Sequence, residues 1–135
     1  QSVSSEGIVV ETFREKVIEL VDRGKICVAD RKNKSVSGDC ETIYYDDMYY
    51  YFTKNTVDVI CRFSNIGYCS LLSLKKQLVQ QEALKQYAQT TGRKPEYEID
   101  FRVCNVQGKP KDLSGLAIKC EFFDVIGGIK LYERG

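Results

Sequence analysis

Three carboxylates, Glu96, Glu98 and Asp100, recur at every second position, and they are the first residues whose spacing could do chemistry. On a strand, alternate side chains share a face. That puts neighbouring carboxyls roughly 5–10 Å apart, the separation at which paired carboxylates hydrolyse glycosides. Arg102 continues the same series, so the polar face of a half-buried strand with ordinary ion pairing accounts for the same residues. Ser73 and Lys76 form a Ser-x-x-Lys, in which a helix brings a lysine one turn from a nucleophilic serine. The companion motifs Ser-Asp-Asn and Lys-Thr-Gly are missing, and a solvated helix face explains the pair. The chain has no histidine, which removes the usual partner of catalytic Ser and Cys and the commonest zinc ligand. Glycine-rich phosphate loops and EF-hand loops are absent too. No cofactor and no metal are expected.

A tyrosine cluster stands out instead. Tyr44, Tyr45, Tyr49, Tyr50 and Tyr51 are five of the nine tyrosines, and Asp46, Asp47 and Met48 interrupt them. Tyrosine favours strands and forms stabilising cross-strand pairs. Alternation, however, sends some of these rings to each face of a sheet. Outward rings would make a rigid, amphipathic contact surface for a protein partner or a glycan.

Six cysteines, at 27, 40, 61, 69, 104 and 120, contain no Cys-x-x-Cys, so neither a zinc knuckle nor a thioredoxin-type centre is expected. An even, well-spread set fits a disulfide framework in an oxidising compartment. Strand parity suggests Cys61–Cys120, Cys27–Cys40 and Cys69–Cys104. Reduced, buried thiols in an intracellular protein are the alternative. The chain opens on Gln1, as a secreted protein trimmed of its leader would. Membrane contact is expected only if a removed N-terminal segment served as an anchor. Asn33-Lys34-Ser35 is a glycosylation sequon.

These residues need a scaffold. At 135 residues, 43% hydrophobic and with a net charge of +1, the chain has the size and composition of one globular domain over 1–135. It lacks the basic excess of a duplex nucleic-acid binder. No apolar run reaches the roughly 18–20 residues of a membrane helix. Val10, Phe13, Val17, Leu20 and Val21, widened by Val9 and Ile18, give an amphipathic helix over 6–23, stopped by Gly24. Strands are expected at 26–29, 42–45, 49–53 and 57–63, where short connections imply antiparallel pairing. A second helix spans 70–90. Further strands follow at 97–103, 116–122 and 129–132, the last after a Gly127-Gly128 turn.

The expected fold is therefore α+β, a disulfide-stabilised antiparallel sheet of about six to seven strands with two helices, in the order α-ββββ-α-βββ. The expected function is a non-catalytic, extracytoplasmic (secreted, periplasmic or cell-surface) binding or assembly domain that uses the tyrosine-rich strands. A small secreted hydrolase using Glu96, Glu98 and Asp100 is the alternative.

Overall fold

The computed structural model describes residues 5–32, 41–85, 97–104 and 108–124, with backbone only at 5–8 and 68–69. Cys40, Glu96, the sequon at Asn33, positions 86–90 of the expected second helix, the Gly127-Gly128 turn and the strand at 129–132 lie outside the described residues, as does the Cys69 side chain.

Helix α1 (Ser5–Asp22) follows its apolar period. Phe13 and Val17 are completely buried, and Val9, Val10, Ile18, Leu20 and Val21 join them in the core. Each such side chain contributes about 1.5–3 kcal/mol by leaving water. Gly24 ends the helix at φ 73°. Its N–H donates to Val21 O and that of Lys25 to Leu20 O, the left-handed closure for which glycine is suited.

Strands β1 (Ile26–Asp30), β2 (Glu41–Tyr45) and β3 (Tyr49–Thr53) match the sequence reading, but the pairing of β1 does not. β1 and β2 are parallel, so the five-stranded sheet is mixed rather than purely antiparallel. Positions 31–40 separate these two strands. At roughly 3.3 Å per residue, ten residues are ample to return the chain along a five-residue strand.

The strand expected at 57–63 is helix α2 (Lys54–Ser64). Val57, Val59, Cys61 and Phe63 alternate like a strand, whereas Val57, Ile60 and Cys61 also recur at helical steps. Thr53 decides between these patterns by capping the helix, its hydroxyl accepting from the Thr56 N–H, a contact typically worth about 1 kcal/mol. Val57, Ile60 and Cys61 are then buried, and Phe63 is left 54% exposed. Helix α3 (Tyr68–Gln80) stops short of the expected 70–90, because Glu82 takes a left-handed φ of 56° and Leu84 bridges to Ile118. β4 (Ile99–Cys104) and β5 (Pro110–Lys119) then form a hairpin. Residues 110–115 of β5 lie ahead of the strand expected at 116–122. The short helix α4 (Cys120–Asp124) takes the end of the strand expected at 116–122, so the described residues form four helices rather than two.

The sheet order is β1-β2-β3-β5-β4. One face, carrying Ile26, Ile43, Tyr50, Phe52, Leu116 and Ile118, packs against the four helices. Phe13 meets Phe52 at 5.9 Å between ring centroids, and Tyr50 meets Phe123 edge-on at 5.6 Å.

The other face is covered by β4. β5 pairs with β3 through residues 115–119 and with β4 through 110–115. Gly115 therefore sits beside Thr53, at the end of β3 away from Tyr49. The far end of β4 nevertheless returns to the opposite end of the sheet, where Cys104 N–H donates to Arg31 O and Arg31 Nε to Arg102 O. The hairpin thus bends at Gly115 and lies across β3 and β2. Phe101 stacks near Tyr51 and Tyr44 at 4.9 and 6.4 Å, and Ile99, Val103 and Ala117 complete a second, smaller core. A Cβ on Gly115 would stand 1.8 Å from Phe52 O, so only glycine fits this corner.

The expected disulfide framework is not formed among the described residues. Cys61 and Cys104 carry thiols. The pairing Cys61–Cys120 fails because Cys61 belongs to a helix, so the strand parity that suggested it does not apply. Cys120 begins α4, with its Sγ 3.7 Å from Asp46 O.

Candidate functional site

The tyrosine run divides between the two cores. Tyr50 is completely buried against the helices and Tyr51 is 2% exposed beneath β4. Tyr45 is half-buried on the helix side, and Tyr44 and Tyr49 are half-buried on the other. Rings expected to point outward on the second face are thus covered by the folded hairpin. What stays in solvent is the turn between β2 and β3, whose Met48 is 61% exposed.

Asp46 makes that turn rigid. Its Oδ1 accepts from the Met48 and Tyr49 N–H groups at 2.9 and 2.8 Å, an Asx turn. Its Oδ2 accepts from Tyr51 Oη at 2.6 Å and from Arg31 Nη1 at 3.2 Å. Arg31 Nη1 also donates to Tyr51 Oη at 2.9 Å, and its guanidinium lies 4.8 Å from the Tyr51 ring centroid. Burial alone would raise the Asp46 pKa, but these four donors outweigh it and hold the carboxyl below the usual Asp value. Burial pushes the Tyr51 hydroxyl far above its ordinary value, and the adjacent Asp46 charge adds to the effect.

The backbone of Met48 is held from the other side as well. Its carbonyl accepts from the Cys120 N–H at 2.9 Å. Beside it, Lys85 Nζ stands 5.4 Å from the Tyr49 ring centroid. The bridge between Leu84 and Ile118 keeps the Lys85 backbone against β5.

Of the carboxylate series, Glu98 and Asp100 lie among the described residues. Glu98 pairs with Lys75 at 2.7 Å, whereas exposed Asp100 accepts from Ser114 Oγ at 2.8 Å. The two are thereby engaged by different elements, α3 and β5. Glu98 instead borders a cleft of about 290 Å³ between α2, α3 and β5, with Lys54, Asp58 and Lys75 around it and Val57, Leu71 and Leu116 beneath. The sequence reading missed this cleft because it depends on 54–64 being helical. In the same region, burial and the nearby Asp58 charge push the Cys61 thiol up to about 11, which leaves it protonated and inert near neutrality.

Among the described residues no group of His, Cys, Asp and Glu could hold a metal ion, and no helix is long and apolar enough to cross a membrane. Comparison of the chain with protein-family models, curated proteins and solved structures returned no match.

Proposed function

We propose that this chain is a non-catalytic binding domain that meets a protein partner at the β2–β3 turn, through Met48 and Tyr49 with the exposed edges of Tyr44 and Tyr45. The observation that carries this reading is a large apolar side chain left in water on a turn whose backbone is pinned from both sides. A pre-ordered epitope loses little conformational entropy on binding, and methionine and tyrosine suit such surfaces. Tyr50 and Tyr51 act behind it, as the packing that fixes its position.

A photo-crosslinking residue at position 48 in protein from the native source tests the proposal, with exposed Arg23 as the control position. One adduct specific to position 48, together with binding lost in Met48→Asp at unchanged Tm, is the expected outcome. Equal adducts from both positions, or undiminished binding by Met48→Asp, would refute it.

Six well-spaced cysteines support an extracytoplasmic setting, and we retain it as part of the proposal. The buried Cys61 thiol favours the competing setting of a reduced intracellular protein. Alkylation of denatured, unreduced protein should label Cys61 and Cys104, and recovery of either in a disulfide-linked peptide would contradict the structure. The state of the remaining cysteines then separates the two settings.

A further inference from the structure

We propose that the cleft between α2, α3 and β5 binds a small zwitterion with an apolar side chain, of the chemical class of a free α-amino acid. At about 290 Å³ it lies at the lower limit of ligand pockets, which suits a molecule of that size. Its charged groups are balanced but not equally engaged. Lys75 and Glu98 close on each other at 2.7 Å. Lys54 and Asp58, one turn apart on α2, form no ion pair among the described residues. Lysine placed N-terminal to the acid is the weaker order for closing such a pair across a helical turn.

Lys54 also opens an 11-residue helix with no acidic residue in its first turn, which sets a cationic residue at the positive end of the helix dipole. A ligand carboxylate at Lys54 satisfies both positive groups, and a ligand ammonium pairs with Asp58. Leu71 and buried Leu116 receive the apolar group. This cleft is separate from the β2–β3 turn and does not depend on the reading of that turn.

Titration of ¹⁵N-labelled protein with L-leucine and with L-phenylalanine, followed by NMR, tests the proposal. Saturable shifts at 54–58 and 71–75 are expected from at least one of them. N-acetyl-L-leucine lacks the ammonium and L-leucinamide the carboxylate, so each should bind about tenfold more weakly than leucine. Lys54→Gln and Asp58→Asn alter exposed side chains and leave the fold intact, and each should weaken binding about fivefold. No saturable shift in these segments up to about 10 mM of either amino acid, or binding of either derivative as tight as that of leucine, would overturn it.

Discussion

Asp46 does the most with one side chain. It turns the chain between β2 and β3, accepts from Arg31 at the end of β1, and accepts from the Tyr51 hydroxyl beneath β4. Because its folded pKa lies below the ordinary Asp value, its stabilising effect is complete above about pH 4 and fades as pH falls through the folded value. Asp46→Asn should therefore cost about 1–3 kcal/mol at pH 7. The wild type should lose that advantage on acidification, because its carboxyl protonates and the amide cannot. Urea melts of both proteins from pH 7 to pH 2 check this, and parallel curves would refute it. Tyr51 acts with the opposite sign. Its raised pKa makes its contribution complete below about pH 10 and lost as pH rises beyond that. None of this coupling was legible in the sequence. The Asp-Asp within the tyrosine run reads as a turn, but nothing local shows that Arg31 lies beside it.

Among the elements, the helix α1 and the first three strands follow from local pattern alone, since Val10, Phe13 and Val17 keep a helical period and the tyrosine run keeps β-formers together. α2 does not. Val57, Val59 and Cys61 satisfy the strand period as well as Val57, Ile60 and Cys61 satisfy the helical one. Only the Thr53 cap and burial against α1 and the sheet separate the two. The strand-like reading of Cys61 then misdirected the disulfide argument. The bend in β5 was equally hidden, because Gly115 stands just before the strand expected at 116–122. Its real constraint is the carbonyl of Phe52. Gly115→Ala forces backbone apart at the β3–β5 pairing and should cost more than about 2 kcal/mol, at the upper part of the range for overpacking. A denaturant melt measures it. A loss below about 0.5 kcal/mol, the level of an ordinary surface change, would mean that the strands do not approach so closely there.

At the scale of the whole molecule, the sheet works as two stacked layers with a core on each side. Helices cover one face and the chain's own hairpin covers the other. That closure determines which tyrosines can reach a partner, so it stands behind the proposed epitope at Met48 and Tyr49. Nitration of the native protein with tetranitromethane, with each tyrosine located by peptide mass spectrometry, tests it most directly. Tyr44, Tyr45 and Tyr49 should be modified in the folded protein, while Tyr50 and Tyr51 should react only after denaturation. Nitration of Tyr51 in the native protein as fast as that of Tyr49 would show that the hairpin does not lie over the sheet.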